Sequence, residues 1–268
     1  MQIHVMPKPL PFGIDSRAYW AFEPTGKLVV FVHGFKGSAQ ATWMEFPRRL
    51  DSAKECRGCD LVFYGYDGVR TRASISASNF REFMNALCSG PTIPNKYLHS
   101  SIHRPAGLQY QKVILVGHSL GCIVIRQALL DAHLKNEAWS QRVETILFAP
   151  AHSGANVLKL LGETVTGLKV PFAGAVVPLL KIWWRVLNDL EPKNDMLNKL
   201  LKDVEAETAK APELLATVVL HSDKDFVVEP IRFALDPPQD TLNGKSHTEI
   251  CKPSDSFTDP VDIVLRRL

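Results

Sequence analysis

The feature that most constrains the fold of this chain is residues 112–123, which read KVILVGHSLGCI. Residues 113–116 are β-branched and aliphatic, and such a short apolar run predicts a strand buried on both faces. From Leu120 onward the apolar residues recur at helical spacing, which predicts a helix. Ser119 therefore lies on a tight turn between a strand and a helix. The N-terminus of that helix favours negative charge that develops beside the serine.

Two glycines flank the serine in the pattern Gly-x-Ser-x-Gly, at Gly117 and Gly121. A turn this tight brings both residues close to neighbouring backbone, where a Cβ would crowd, so glycine is the residue expected there. The serine side chain is pushed out of the turn. Together with the strand before it and the helix after it, this pattern resembles the nucleophile elbow of the α/β-hydrolases.

Length, charge and apolar patterning exclude several classes of function. The 268 residues suit one large α/β domain with its own core. A formal net charge of +3 and the lack of a Lys/Arg-rich run argue against a nucleic-acid partner. Residues 1–8 lack the basic start and apolar core of a signal peptide, and no uncharged apolar run reaches the ~20 residues that a membrane span needs. These features predict a cytoplasmic protein without a transmembrane segment.

The cysteines do not indicate a disulfide framework, because the five of them are odd in number and scattered along the chain. Cys56 and Cys59 form a single Cys-x-x-C without a second pair. This spacing is compatible with a metal or redox site but is more typical of two incidental thiols. We therefore expect neither a metal nor a cofactor.

Strand-like and helix-like segments alternate along the chain. Strands are predicted at 18–22, 28–32, 61–64, 113–116, 143–148 and 214–220, and helices at 42–50, at 78–87 and from position 120. Such alternation predicts parallel βαβ units in a doubly wound, mostly parallel sheet flanked by helices. Residues 153–212 interrupt the alternation with largely helical and partly very apolar sequence. We interpret residues 1–268 as a single α/β-hydrolase domain, with 153–212 as a helical cap inserted after the strand that ends near Phe148.

The resemblance implies two partners for Ser119, since a serine hydroxyl is a poor nucleophile without a base and an orienting carboxylate. In α/β-hydrolases the acid and then the base follow the serine along the chain. The acid is expected in the loop after the strand that follows the cap, where we prefer Asp225 and Asp223 is the alternative. His247 is the one histidine beyond that loop, and it is the expected base.

The same resemblance implies an oxyanion hole made of two backbone N–H groups. One belongs to Leu120, which follows the nucleophile, and the other to Phe35, in the His-Gly-x pattern after strand 28–32. His118 precedes the serine and His152 follows a neighbouring strand, so both are candidates for substrate contacts.

Five blocks of sequence narrow the resemblance, and in chain order they read FVHGFKG, TW, YGYD, VGHSLG and FAPAHSG. They are similar to blocks of the lipase-like serine hydrolases related to GPI-inositol deacylases and to the serine-active-site proteins of phospholipid remodelling. Two positions depart from that pattern: Cys122 replaces a glycine, and Ala151 separates Pro150 from His152. The resemblance implies hydrolysis of a carboxylic ester, with a small-molecule or lipid ester as the substrate.

The most apolar stretch of the chain lies inside the proposed cap, at residues 170–187, and contains the paired Trp183 and Trp184 beside Lys181 and Arg185. Tryptophans with flanking basic residues suit the roof of an acyl pocket, where they would bind substrate, or a peripheral membrane contact. A third interpretation is a helix that only packs over the core.

These observations predict a metal-independent serine esterase or lipase that works through an acyl-enzyme. A thioesterase, an amidase or an acyltransferase would use the same residues. The alternative from another class is a non-catalytic homologue that binds an apolar ligand or a protein partner. Such homologues usually lose the acid or the base, whereas this chain has candidates for both. The sequence does not define an oligomeric state.

Overall fold

The structure is a computed structural model, and it describes residues 4, 8–10, 12–88, 107–156, 159–160, 186–192 and 194–268. Trp183 and Trp184 lie outside these ranges, as does most of the apolar stretch at 170–187. The three interpretations of that stretch therefore stay predictions.

Eight strands of the described residues form one sheet in the order β1-β2-β4-β3-β5-β6-β7-β8. The pairings from β4 through to β8 are parallel, while β1 and β2 extend one edge through antiparallel pairings. The mostly parallel α/β sheet predicted from the sequence is confirmed. The strands are β1 (Lys8–Pro9), β2 (Arg17–Tyr19), β3 (Lys27–Val32), β4 (Cys59–Tyr64), β5 (Lys112–His118), β6 (Val143–Phe148), β7 (Val218–Ser222) and β8 (Asp240–Leu242).

Helices flank this sheet, because parallel strands need crossover connections. In the described ranges they are α1 (Phe46–Ser52), α2 (Ala73–Cys88), α3 (Leu120–Leu134), α4 (Val186–Asp189), α5 (Asp195–Glu207) and α6 (Asp259–Leu265). α3 packs against α2 and against α5. Within the part of the chain that the structure describes, no helix combines the length and the apolar character needed to cross a membrane.

The core is deepest where β3, β4 and β5 lie side by side. β4 is buried along its whole length, and β3 and β5 are buried from their second residue onward. Phe31 stacks on Phe63 with ring centroids 4.6 Å apart, and Trp43 packs edge-on against Phe31. The continuous apolar runs of these strands therefore reflect burial on both faces. Because the strands are parallel, the loops after β3, β5 and β7 meet at one edge of the sheet.

Several element boundaries differ from the sequence predictions. The strand predicted at 214–220 begins only at Val218, because Pro212–Leu214 form a 3₁₀ turn, and proline suits the first turn of a helix. The helix predicted at 42–50 begins at Phe46, and the helix predicted at 78–87 begins at Ala73. β8 and α6 are absent from the sequence predictions.

The region proposed as a cap, residues 153–212, is described in part. α5 packs its apolar face against α3, so this helix also serves as a crossover between β6 and β7. α4 meets the start of α2, where the Asp189 carboxylate accepts the N–H of Ala73 at 2.8 Å. Residues 161–185 lie outside the described ranges. The single domain with an inserted cap therefore stays a prediction.

Candidate active site

Ser119 lies between β5 and α3 with a φ of 53°, a left-handed value that residues other than glycine seldom adopt. The turn is fastened by backbone hydrogen bonds: the Ser119 N–H donates to the Phe148 carbonyl at 3.0 Å, and the Ser119 carbonyl accepts the Cys122 N–H at 3.1 Å. The Cys122 thiol donates to the same Phe148 carbonyl at 3.7 Å. The strained turn is therefore tied to β6 on one side and to its own helix on the other.

Both glycines of the motif lie close to neighbouring backbone, and at Gly121 a side chain has no room. A Cβ at Gly117 would stand 3.1 Å from the backbone of Cys122, and one at Gly121 would stand 2.5 Å from the His33 carbonyl oxygen. A Cβ at Gly121 would also overlap the Val32 carbonyl. These atoms are backbone and cannot move aside, so the close packing of α3 on the end of β3 depends on glycine.

His247 lies between Ser119 and Asp225. Its Nε2 is 2.9 Å from Ser119 Oγ, and its Nδ1 is 2.7 Å from Asp225 Oδ2. Because an ionised carboxylate only accepts hydrogen bonds, Nδ1 carries the hydrogen and the Nε2 lone pair faces the serine hydroxyl. All three side chains are almost fully buried. The structure thus brings together the serine, histidine and aspartate that the sequence analysis singles out.

Hydrogen bonds hold Asp225 in its ionised form. Its Oδ1 accepts the N–H groups of Val227 at 2.8 Å and Val228 at 3.1 Å, while Oδ2 faces His247. Burial alone raises the pKa of this carboxyl, but the hydrogen bond and charge of His247 and the two N–H groups outweigh burial and lower the pKa below its ordinary value.

Asp223, the alternative acid, contacts a different part of the loop. Its Oδ1 accepts the N–H of Gly244 at 2.6 Å, and the Ser222 hydroxyl donates to the carbonyl of Lys245. These bonds tie the segment that precedes His247 to the end of β7. Of the two aspartates, Asp225 contacts the His247 side chain, whereas Asp223 contacts the backbone of the loop that carries His247.

The loop after β3 presses against Ser119, since a Cβ on Gly34 would stand 2.9 Å from the Cβ of Ser119. His33 fastens this loop: its Nδ1–H donates to the Gly34 carbonyl at 2.9 Å, and its Nε2 accepts the N–H of Tyr66 at 3.2 Å. Burial lowers the pKa of His33 to about 4, so the ring is neutral, as these two bonds require. Phe35, one expected oxyanion donor, follows in the same loop.

Leu120, the other expected donor, is the first residue of α3. The first N–H groups of a helix have no acceptor within it, so this position is suited to an anion beside Ser119.

Two further histidines contact backbone carbonyls. His118 Nε2–H donates to the carbonyl of His247 at 2.9 Å, and His152 Nε2–H donates to the carbonyl of Ile231 at 2.7 Å. Burial lowers the pKa of both rings to about 3, so both are neutral. These bonds support the loops that carry the histidine and the aspartate. Substrate contact by His118 or His152 stays a prediction.

The segment after β7, which carries Asp225, is held near its other end by a buried ion pair that the sequence analysis missed. Arg126 of α3 pairs with Asp236, both almost fully buried, and its guanidinium lies 4.1 Å from the ring centre of Phe233. Asp236 also accepts the N–H of Ala216 at 2.8 Å. The available signal is an arginine among the apolar residues in the first half of α3, because a buried arginine needs a carboxylate partner.

Two cavities lie beside residues that neighbour the site, one at Asp225 and the other at His118. One, of about 680 Å³, is lined by Asp225 and by apolar neighbours that include Phe226, Val227 and Pro192. The other, of about 270 Å³, lies against the loop after β3 and is lined by Lys36 and His118 among others. Both cavities are large enough to take part of a small substrate.

In the described residues no group of three or more His, Cys, Asp or Glu side chains could hold a metal ion. Cys56 and Cys59 are buried free thiols, and burial raises the pKa of Cys56 to about 12. Thiols in such surroundings are poor metal ligands and nucleophiles, because both roles need the thiolate.

The sequence matches a model of the Alpha/beta hydrolase family over residues 29–250. A search of curated proteins finds no match.

Solved structures share the fold at low sequence identity. Lipase BlEst2 of Bacillus licheniformis in its mature form is 17% identical, with a TM-score of 0.54 over 91% of this chain and 93% of that one. The monoacylglycerol lipase of Paleococcus ferrophilus is 14% identical, with a TM-score of 0.52 over 98% of both chains. The 2-hydroxy-6-oxo-6-phenylhexa-2,4-dienoate hydrolase of Rhodococcus sp. strain RHA1 is 15% identical, with a TM-score of 0.54 over 100% of both. At these identities the likeness is one of fold.

Proposed function

The chain belongs to the alpha/beta hydrolase family, and from this premise we propose that it is a serine hydrolase that cleaves carboxylic esters. The observation that carries the proposal is the unbroken line of hydrogen bonds from Ser119 Oγ through His247 to Asp225, with distances of 2.9 and 2.7 Å. Nucleophile, base and orienting acid are the parts that acyl transfer through an activated serine requires.

In the proposed reaction Ser119 Oγ attacks the ester carbonyl carbon while His247 Nε2 takes the hydroxyl proton. Asp225 stays ionised and stabilises the imidazolium that results. When the tetrahedral intermediate collapses, the C–O bond to the alcohol breaks and His247 returns the proton to the leaving oxygen. A water molecule, deprotonated by the same histidine, then hydrolyses the acyl-enzyme and restores the serine.

The negative charge of the tetrahedral intermediate is assigned to the backbone N–H groups of Phe35 and Leu120. Removing one donor of this kind typically costs about 3 kcal/mol of transition-state stabilisation. The contact of Gly34 with Ser119 supports the assignment, because it holds the loop with Phe35 against the nucleophile.

An apolar acyl group is the substrate feature that the cavity beside Asp225 supports. Its volume is about 680 Å³, and Phe226, Val227 and Val228 give its wall an apolar surface for a hydrocarbon chain. Charged side chains, among them Lys159 and Glu229, line the rest of the wall. Two of the solved structures with this fold are named lipases. We propose an esterase or lipase-like activity on that basis, with Trp183 and Trp184 as further candidates for substrate contact.

The proposal is tested with a fluorophosphonate probe, which reacts covalently only with an activated serine. The serine oxygen displaces fluoride from the probe, so wild-type protein is expected to gain the mass of one probe less HF in intact mass spectrometry, and Ser119→Ala is expected to gain none. Ser52→Ala, which changes a serine of α1 far from the site in sequence, is the matched control and is expected to label fully. An unlabelled wild type, or equal labelling of Ser119→Ala, would show that the protein is a non-catalytic homologue or uses another residue.

A panel of p-nitrophenyl esters of increasing chain length, with a thioester and an anilide, separates the neighbouring activities. Faster turnover of the longer esters than of the thioester or anilide is the expected result. Preference for the thioester or the anilide would make the protein a thioesterase or an amidase with the same residues.

A further inference from the structure

His118 is linked to three parts of the proposed site although it is not one of the three triad side chains. It is the last residue of β5 and directly precedes Ser119 along the chain. Its Nε2–H donates to the carbonyl of His247 at 2.9 Å. Its Nδ1 lies against the loop that carries Phe35, since a Cβ on Gly34 would stand 3.0 Å from that nitrogen. One residue thus joins the nucleophile turn, the base and the loop of an expected oxyanion donor.

The bond from His118 holds the backbone of His247, whereas Asp225 holds the side chain. His247 has no exposed surface, so its carbonyl needs a partner within the protein. The segment that precedes His247 is tied to the end of β7 by Ser222 and Asp223. The bond from His118 therefore fastens the histidine loop to β5 as well, on the side of the nucleophile.

This bond does not take part in the proton transfers of the proposed reaction. Once Ser119 Oγ is acylated it has no hydrogen to donate, so its hydrogen bond to His247 Nε2 is lost while the base must still direct a water molecule. The bond from His118 involves neither Ser119 Oγ nor the ring of His247. It therefore holds the base in place during the step in which the direct bond to the serine is absent.

His118 itself is unsuited to act as the base. Its Nε2 carries the hydrogen that binds the His247 carbonyl. Burial, and to a smaller extent the charge of His247, lower the pKa of His118 to about 3, so the ring is neutral. The two imidazole rings have centroids 5.1 Å apart. A neutral ring at this distance adds no positive charge that would oppose the imidazolium formed on His247.

We infer that His118 is a positioning residue for the proposed reaction: its Nε2–H holds the backbone of His247 so that the imidazole stays within reach of Ser119 Oγ and then of the hydrolytic water. The inference rests on the proposed function and deepens it by giving a role to a residue outside the triad. Misplacing a reacting group by about 1 Å can slow a reaction by about 10²-fold. Loss of this bond is therefore expected to lower kcat and to leave KM nearly unchanged.

Two amide substitutions test the role of the N–H. Glutamine carries its amide N–H about as far from the backbone as imidazole Nε2 does, whereas asparagine is shorter by one methylene and does not reach the carbonyl. His118→Asn is expected to lower kcat for p-nitrophenyl butyrate by about 10- to 100-fold, with KM within about twofold of wild type. His118→Gln is expected to retain at least about one third of wild-type kcat, because it restores the donor. His118→Leu, which also removes the N–H, replaces His118→Asn in the comparison if the asparagine variant does not fold.

The same two substitutions at His4 are the matched control. His4 is also buried, and its Nε2 lies 2.7 Å from the carbonyl of Cys59. Cys59 is the first residue of β4, so this contact is at the edge of the sheet opposite the loops of the site. His4→Asn and His4→Gln are expected to lower thermal stability but to keep wild-type kcat and KM. In every variant kcat is expressed per serine that the fluorophosphonate probe titrates, so unfolded protein is not counted.

Wild-type kcat in His118→Asn, or equal losses of kcat in His118→Asn and His118→Gln, would overturn the inference, because catalysis would then not depend on the N–H. A similar loss of kcat in the His4 variants would also overturn it, since the effect would then follow from disturbing any buried histidine. In these cases probe labelling of Ser119 and ester hydrolysis by wild-type protein would still uphold the proposed function. If wild-type protein neither takes up the probe nor hydrolyses esters, the proposed function is wrong and the inference fails with it.

Discussion

Asp225 and Asp223 follow the same strand two residues apart, yet their carboxylates meet different partners. Asp225 faces the imidazole of His247, whereas Asp223 binds the backbone N–H of Gly244. A carboxylate on the ring fixes the tautomer of the base and stabilises its charged form, but a carboxylate on the backbone fixes only the path of the loop. The two residues should therefore differ in what their loss does to catalysis.

Asp225→Asn is expected to lower kcat for ester hydrolysis by about 10⁴-fold, the loss typical of this substitution in a Ser-His-Asp triad, because the amide favours the wrong histidine tautomer. Asp223→Asn keeps an oxygen that can accept the Gly244 N–H and removes only the charge, so it is expected to lower kcat by about tenfold or less. Steady-state kinetics of the two variants measures the difference. A larger loss for Asp223→Asn would transfer the role of the acid to that residue.

At the scale of elements, the position of Ser119 depends on how closely α3 approaches the end of β3. Gly121, in the first turn of α3, lies against the carbonyl oxygens of Val32 and His33. The same close approach of α3 to the end of β3 places Gly34 against Ser119. The glycines therefore set the distance between the nucleophile turn and the loop that carries Phe35.

Gly121→Ala is expected to destabilise the fold by at least about 3 kcal/mol, since its Cβ would overlap backbone atoms of two packed elements. Gly107→Ala is the matched control: a Cβ there meets nothing within 4 Å, and its φ of 76° adds only left-handed strain of about 1–2 kcal/mol. Urea unfolding of both variants checks the comparison. Equal losses of unfolding free energy in the two variants would mean that α3 and the end of β3 can move apart at little cost.

The sequence predicts the central elements well because their signals are local. The apolar runs that form β3 and β5 are buried on both faces, and the helical spacing after Ser119 continues to Leu134. β8 has three residues and is mostly exposed, so it has no apolar pattern to detect.

The order of residues along the chain points to Ser119 and His247, but the choice between Asp225 and Asp223 requires the geometry. The pairing of Arg126 with Asp236 joins residues 110 positions apart, and single-sequence patterns do not carry that information.

At the scale of the whole molecule, four buried neutral histidines near the candidate site couple its surroundings to pH. Burial lowers the pKa of His33 and His221 to about 4 and that of His118 and His152 to about 3. In the unfolded chain a histidine has a pKa of about 6.5. Below pH 6.5 the unfolded chain therefore binds more protons than the folded chain, so acidification favours unfolding.

The free energy of unfolding is expected to be nearly constant between pH 7 and 8 and to fall steeply from pH 6.5 toward pH 4. Each of the four histidines contributes a slope of up to about 1.4 kcal/mol per pH unit, so the set approaches ~5 kcal/mol per unit, which is comparable to the total stability of many domains. Urea titrations at half-unit intervals of pH measure this slope. His221→Phe, which replaces a ring whose two nitrogens have no partner in the described residues, is expected to reduce it by about one quarter. A stability that stays flat from pH 7 to 5 would mean that these rings are protonated, or reach water, in the folded protein.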